Sequence, residues 1–392
     1  MELVYGSALW YAPVRVNAHH LTERLAAERP TLYVESVGAR APRAHDWRRV
    51  LPRLLRSLRP LRRAGPNLWI FSPLPLPLYR RGGAAANSRW VGWQVRALLA
   101  LRRWAVDACW IFHPMGLGTA EQAAARGVIY YCVDDYAANP GVDPATIRAL
   151  EGEVCRVSDL VIATGEPLAR RLRQEARWVE VLPNVADTEL FGRPATGVEH
   201  PALDALDRLP RPVLGYVGNL AAYKVDLGLI AEIARLRPEW QIALVGPANL
   251  GDVERAVSGK AMPANVHFLG AVPHEVAPAA MDRFDVALLP SARHEVMEAS
   301  FPLKFFEYLM RGKPIVARPL PALRPFTEWF DAAETAEEFV AAVVQRLGAD
   351  PADAPAGRRR FAEGFGWGER MEKLRMLRSE VVARRPPRAT RS

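Results

Sequence analysis

The stretch Phe301-Pro-Leu-Lys-Phe-Phe-Glu-Tyr-Leu-Met-Arg-Gly-Lys-Pro-Ile-Val-Ala317 carries in one line a helix start, a helix stop and the strand that follows. Pro302 suits the first position of a helix, where the N–H it lacks would have no intrahelical partner. Gly312 suits the residue just past the end, and Pro314 prevents continuation. Pro314–Ala317 then reads as a short buried strand. Lys304 and Glu307 are three residues apart and share one face of the helix. Lys304 falls in the first turn, where free N–H groups and the helix dipole favour an anion, and Glu307 lies about 5 Å further along. A nucleotide separates its phosphate from its ribose by a similar distance. A carboxylate can accept from both ribose hydroxyls while a lysine meets the phosphate charge. On spacing alone the two residues are equally an ordinary surface ion pair, and that alternative stays open.

Strand and helix signals alternate on both sides of this stretch. Towards the N-terminus, Val213–Val217, Ile242–Val245, Val266–Leu269 and Val286–Leu289 read as buried strands, with an amphipathic helix through Asp226–Leu236. Further back, Leu3–Tyr5, Thr31–Val34, Leu68–Phe71, Cys109–Phe112, Val128–Val133, Leu160–Ala163 and Val179–Leu182 form a second series. Helical patterns at Ala18–Glu28, Val91–Trp104, Pro144–Arg156 and Glu166–Glu175 separate them. Alternation of this kind implies parallel sheets wound on both faces. Gly192–Pro212, proline-rich and without periodicity, reads as the connection. The expected architecture is α/β with two doubly wound Rossmann-like domains facing a cleft: an N-terminal domain over 1–195, a linker over 196–212, a nucleotide-binding domain over 213–368, and a C-terminal helix and basic tail over 369–392.

Composition agrees with two soluble domains: 392 residues, 50% hydrophobic and 24% charged. Cys109, Cys132 and Cys155 are scattered and lack metal-ligand spacing, which fits a reducing compartment. The start, MELVYGSALWYAPV, lacks a basic leader before a sustained apolar run, so no secretory signal is expected. No window reaches the roughly 18–20 apolar residues of a membrane span, and prolines interrupt the apolar stretch Trp69–Leu78. A cytoplasmic location is expected. The formal charge of +9 is concentrated in the arginine–leucine run Arg40–Arg63. That run is either a solvated face or a patch that holds the protein on the anionic inner face of the cell membrane.

The run P-L-K-x-x-E-Y-L-x-x-G-K-P-I-V-A resembles the donor-site helix of GT-B glycosyltransferases with the E-x7-E pattern, the retaining group 1 type, and is most similar to teichuronic-acid-biosynthesis-like transferases. The resemblance extends from about Val4 to Trp367. It implies that Glu307 binds the donor ribose, with Pro302, Leu303 and Lys304 beside it. The family's first glutamate, which contacts the transferred sugar, corresponds to Ala299, and Glu295 and Glu298 are out of register. Gly215-Tyr-Val-Gly-Asn219, followed by Lys224-Val-Asp226, is similar to the glycine loop bordering the donor phosphates. There Gly218 and Asn219 bring backbone N–H groups close and Lys224 adds charge, unless it is simply an exposed loop lysine. Leu244-Val-Gly246-Pro and Asn265-Val-His-Phe-Leu-Gly270 resemble the next strand ends, near the nucleobase. Ser158–Thr164 and Leu182-Pro-Asn-Val-Ala-Asp187 match the end of the family's N-terminal domain.

For the acceptor side, the resemblance points to the loop after the first strand, with Trp10, Arg15, His19 and His20. A histidine capping the helix there is the plainer alternative. Asp134 and Asp135 follow the apolar strand Gly127–Cys132, which puts them at the carboxyl edge of a parallel sheet. As adjacent residues they diverge, so acceptor contact is expected rather than metal ligation. His113 ends Trp110-Ile-Phe-His113 and is a further acceptor candidate. The implied reaction moves a hexose-like sugar from a nucleoside diphosphate to an acceptor hydroxyl, with Lys304, His20, Asp134 and Asp135 as catalytic candidates and no metal or cofactor. The expected partners are a nucleotide sugar, a glycan or lipid-linked acceptor in cell-envelope polysaccharide synthesis, and an anionic membrane surface, but not nucleic acid. Two other readings use the same fold: a sugar-nucleotide epimerase, and a non-catalytic basic adaptor.

Overall fold

The computed structural model describes residues 1–12, 15–37, 60–76, 83–248, 251 and 261–384. The chain divides into two compact units, Met1–Leu182 with Met371–Ser392, and Pro183–Arg370. The first holds an eight-stranded sheet of β1 (Glu2–Tyr5), β2 (Thr31–Val34), β3 (Leu61–Gly65), β4 (Leu68–Phe71), β5 (Ala108–Ile111), β6 (Gly127–Cys132), β7 (Leu160–Ala163) and β8 (Val179–Val181), in the order β3-β4-β2-β1-β5-β6-β7-β8. All neighbours are parallel except β3, which runs antiparallel to β4. The second unit holds β9 (Val213–Val217), β10 (Gln241–Val245), β11 (Val266–Phe268), β12 (Val286–Leu289), β13 (Ile315–Ala317) and β14 (Asp331–Ala332), in the order β11-β10-β9-β12-β13-β14 and parallel throughout.

Parallel sheets are covered on both faces, which is why strands such as β1, β5, β6, β7 and β12 are buried at every position instead of alternating. The helices used below are α1 (Asn17–Glu28), α2 (Gly83–Arg102), α3 (Pro144–Val157), α4 (Leu227–Leu236), α5 (Lys304–Met310) and α6 (Trp367–Arg384). Asp226 caps α4 by accepting the Leu229 N–H at 2.9 Å. Among the described residues no helix is long and apolar enough to cross a membrane.

Two expectations about organisation are corrected. The expected linker and the end of the expected N-terminal domain, from Pro183 on, belong to the second unit: Phe191, Leu203 and Leu206 are buried in its core. The Arg311 guanidinium also binds the carbonyls of Phe191 at 2.7 Å and Arg193 at 2.8 Å. Its prolines hid a short helix, Pro201–Asp207, because proline at the first turn is a start rather than a break. The C-terminal helix, in turn, belongs from Met371 to the first unit. Glu2 of β1 has no exposed surface. Its Oε1 accepts Nε and Nη2 of Arg378 at 2.9 and 2.5 Å, and its Oε2 accepts the Trp110 indole N–H at 2.9 Å.

The edge strand β3 escaped the sequence reading because it lies inside the arginine run. Arg62 and Arg63 on an unpaired sheet edge guard it against further strand addition. The run from Arg40 to Arg59 lies outside the described residues, as does the basic tail beyond Arg384.

Candidate functional site

In the second sheet β9 is followed on one side by β10 and on the other by β12, so the chain reverses its winding direction beside β9. The loops leaving the carboxyl ends of these strands part there, which is where open α/β sheets hold ligands. Two glycines allow the loops after β9 and β10 to meet backbone to backbone. The Gly218 N–H donates to the Val245 carbonyl and the Gly246 N–H to that of Gly270, each at 2.8 Å. Gly246 has φ +152°, and a Cβ on it would stand 1.7 Å from the Gly218 carbonyl oxygen. Gly218 has φ +157°. Asn219 is exposed, and its Oδ1 accepts the Ala221 N–H at 3.0 Å. The loop then crosses to the loop after β12 through a Val225–Ser291 bridge and an Ala292 N–H donated to the Lys224 carbonyl at 3.0 Å. The half-buried Lys224 has no carboxylate partner among the described residues; its Nζ lies 5.8 Å from the Tyr223 ring centre.

Helix α5 closes the site. Its stop is a Schellman motif: Gly312 at φ +68° donates to the Leu309 carbonyl at 2.8 Å, and Lys313 donates to that of Tyr308 at 3.0 Å. Its start differs from the expected one. Lys304 is the first helical residue and Leu303 the cap, so Pro302 stands outside, although its carbonyl already accepts the Phe305 N–H at 3.0 Å. Lys304 Nζ and Glu307 Oε2 lie 2.7 Å apart. Glu307 is 4% exposed, so this is not the exposed surface pair that spacing alone allowed. Burial, with the Glu307 carboxylate as a second cause, pushes the Tyr216 phenol well above its ordinary range. A Cβ on Gly218 would meet the Tyr216 hydroxyl at 2.7 Å. The Tyr216 hydroxyl thus lies against Gly218, within electrostatic range of Glu307.

Three residues missed by the sequence reading hold these parts in register. The buried Tyr308 hydroxyl accepts the Val217 N–H at 2.8 Å, tying α5 to the end of β9. Asn184 donates to the Phe301 carbonyl at 2.9 Å. Arg318, 5% exposed and next after β13, binds Asp226 Oδ2 at 3.1 Å and the Ser291 carbonyl. The last is a polar residue placed immediately after a buried strand, which is a readable signal; the partners of the other two are distant in sequence.

The first sheet reverses between β1 and β5, and most of its candidate acceptor residues serve the fold. Trp10, expected to face a ligand, is buried, and its N–H donates to Glu35 Oε1 at 2.8 Å. His19 is packed between Trp10 and Tyr33 at ring separations of 5.4 and 5.6 Å. Its Nδ1 accepts the Val16 N–H at 3.2 Å and its Nε2 meets the Leu9 carbonyl at 3.0 Å. Burial lowers its pKa to about 4. It is a neutral core histidine that caps α1, the plainer of the two alternatives. His113 likewise caps a turn by accepting the Met115 N–H at 3.1 Å, and burial lowers it to about 4.

Asp135 is buried and committed to an ion network. It accepts the Ala137 N–H at 3.2 Å and an Arg148 N–H at 2.5 Å, with Arg171 at 3.9 Å. Glu151 of α3 binds both arginines and the Tyr130 hydroxyl. Asp135 is thus taken from the catalytic candidates, because its carboxylate is buried and already occupied by Arg148, Arg171 and the Ala137 N–H. Of the other candidates, the half-buried Asp134 follows β6, the half-buried His20 lies in the first turn of α1, and the partly exposed Arg15 precedes α1, paired with Glu23. Among the described residues no group of three or more His, Cys, Asp or Glu side chains is gathered as a metal site.

Residues 211–348 match the model of the family described as glycosyl transferases group 1. A Bacillus subtilis (strain 168) protein named as a teichuronic acid biosynthesis glycosyltransferase is 26% identical over 211 residues, covering 52% of this chain and 52% of that protein. The chain thus spans about half the length of the curated relatives it matches. Likeness of fold is wider. Sucrose-phosphate synthase from Thermosynechococcus elongatus superposes over 97% of this chain and 99% of its own at TM-score 0.73 and 17% identity. The Anabaena protein HepE, in complex with UDP, does so over 97% and 99% at TM-score 0.67 and 16% identity. Residues 211–348 of the second unit thus carry a glycosyl transferases group 1 domain, and the chain has a GT-B fold of two mainly parallel sheets.

Proposed function

We propose that this protein is a glycosyltransferase that moves a sugar from a nucleoside diphosphate to an acceptor hydroxyl in the synthesis of a cell-envelope glycan or polysaccharide. The observation that carries the reading is the Lys304–Glu307 pair, 2.7 Å apart at the carboxyl edge of the second sheet, beside the Gly218–Gly246 backbone contact. Glu307 takes the ribose hydroxyls. The Lys304 ammonium has three donors and engages only one on Glu307, leaving it able to meet a phosphate oxygen as well. Lys224 and the backbone N–H groups of the Gly218–Asn219 loop add positive potential where the leaving diphosphate gains charge, the largest electrostatic demand of such a transfer. The UDP held by HepE and the teichuronic acid role in the Bacillus name support the donor class and the envelope setting respectively.

On the acceptor side, Asp134, His20 and Arg15 are the groups to meet an acceptor hydroxyl or a lipid-linked glycan. Retention of anomeric configuration follows the family. The basic first half fits attachment to the inner, anionic face of the cell membrane. The test is incubation of the purified chain with a panel of nucleoside-diphosphate sugars, with and without acceptor glycans, following release of nucleoside diphosphate. The expected result is acceptor-dependent release that Glu307→Ala abolishes. A chain that binds no nucleoside diphosphate in a thermal-shift panel, where any ligand of the native state raises Tm, refutes the proposal.

A further inference from the structure

Residues 47–106 contain thirteen arginines, five tryptophans and no aspartate or glutamate. Helix α2 lies in this span and has two unlike faces. One packs inward through Val91, Gly92, Val95 and Leu99. Gly92 is needed there because a Cβ would stand 2.1 Å from the Gly118 carbonyl oxygen of the helix beneath. The outer face carries Trp90, Trp93, Ala97 and Leu101, spaced by three, four and four residues into a single stripe. Trp93 is 62% exposed and Leu101 82%. Leu74, 45% exposed, extends the stripe: its carbonyl accepts the Trp90 indole N–H at 2.9 Å. Arg89, Arg96 and Arg103 flank it, exposed and without a carboxylate partner among the described residues; the partner of Arg96 is the neutral Gln122, at 3.3 Å.

Exposed tryptophan and leucine in line are unfavourable in water unless something covers them. A polynucleotide would use the arginines and leave Leu101 and Leu74 wet. A bilayer surface uses both: indoles and aliphatic tips enter the headgroup layer while guanidiniums meet lipid phosphates. We propose that the outer face of α2 docks this protein on an anionic membrane surface, with Trp93 and Leu101 inserted and Arg89, Arg96 and Arg103 on the phosphates. The proposal gives the membrane reading above a surface of its own and does not depend on the transfer chemistry.

The test is co-sedimentation of the full chain with vesicles of phosphatidylcholine, alone or with about a third phosphatidylglycerol. Wild-type protein should sediment only with the anionic vesicles. Trp93→Ser with Leu101→Ser, and separately Arg96→Glu with Arg103→Glu, should each weaken partitioning roughly tenfold or more. Both pairs lie on the exposed face, so their urea unfolding midpoints and UDP thermal shifts should match wild type. Partitioning unchanged in the serine pair overturns the proposal, as does a wild-type chain that stays in the supernatant. Binding of a single-stranded polynucleotide that falls with the serine pair would assign the face to nucleic acid instead. Glu307→Gln should lose nucleotide and keep vesicle binding, so failure of the transferase reading and failure of this one give different results.

Discussion

Replacing Glu307 by glutamine and Lys304 by methionine breaks one ion pair from its two ends, and the ends are not equivalent. The Glu307 side chain is 5% exposed, whereas that of Lys304 keeps 25%. In Glu307→Gln the shape is kept and the ammonium reaches water on its long stem, so folding stability should fall by about 1 kcal/mol or less. Lys304→Met strands a carboxylate with almost no access to water. In a sealed interior that costs about 3–5 kcal/mol; the partly open position of its partner lowers the expectation to about 2 kcal/mol. Nucleotide binding should separate the variants differently. A carboxylate accepting from ribose hydroxyls contributes roughly 1.5–3 kcal/mol per bond, so loss of one such bond in Glu307→Gln should weaken nucleoside mono- and diphosphates alike, by about 10- to 150-fold. With the ammonium on the phosphates as proposed, Lys304→Met should weaken the diphosphate more than the monophosphate. Calorimetric titration with UDP, UMP and the same pairs for the other bases, alongside urea unfolding, reads all four quantities. The reasoning fails if Glu307→Gln binds every nucleotide as wild type does, or if Lys304→Met weakens both phosphate forms equally.

Three further outcomes follow from the geometry. Gly246→Ala places a methyl 1.7 Å from a backbone oxygen at φ +152°, where neither side yields as a side chain would; a loss of about 3 kcal/mol or more in urea unfolding is expected. Tyr308→Phe leaves the Val217 N–H without its acceptor, which should cost about 1–2 kcal/mol in stability and lower donor affinity without touching the donor. His19 is neutral in the fold, with its pKa lowered by burial to about 4 from 6.5. Its contribution to stability is therefore complete above pH 6.5 and lost as pH falls through 4, to a ceiling of about 3 kcal/mol. His19→Gln should flatten that acid limb of a urea-midpoint-against-pH curve, and an unchanged limb would show that His19 is not its source.

How much of this was readable without coordinates depends on whether the deciding interaction is local. The strands were legible because a parallel sheet buried on both faces leaves unbroken apolar runs such as Val286–Leu289. The end of α5 was legible because Gly312 and Pro314 act on their own neighbours. The domain boundary was not, since the segment after Leu182 is held by Arg311, more than a hundred residues away, and its prolines mark helix starts as well as loops. Residue type and strand-end position drew attention to His19, Trp10 and Asp135 alike. Each is occupied by a contact that the sequence does not display: Tyr33 packs on the first two, and Arg148 and Arg171 hold the third.

Ala299 ends the short helix Glu295–Ala299, in which Glu295 and Glu298 are exposed and Ala299 is half-buried. A helix turns by about 100° per residue, so a glutamate one position early points to a different side and cannot stand in for one at 299. Four positions early is nearly in phase but a full turn away along the axis, about 6 Å, beyond the reach of the same hydroxyl. On the proposed reading, the charged contacts are therefore concentrated on the nucleotide, through Glu307, Lys304 and Lys224. Recognition of the sugar itself would then fall to neutral groups: backbone amides of the loops after β9 and β12, and hydroxyls or amides beside them. Such a site should discriminate strongly between nucleoside diphosphates and weakly between sugars. A panel in which the sugar changes affinity more than the base does would contradict that division.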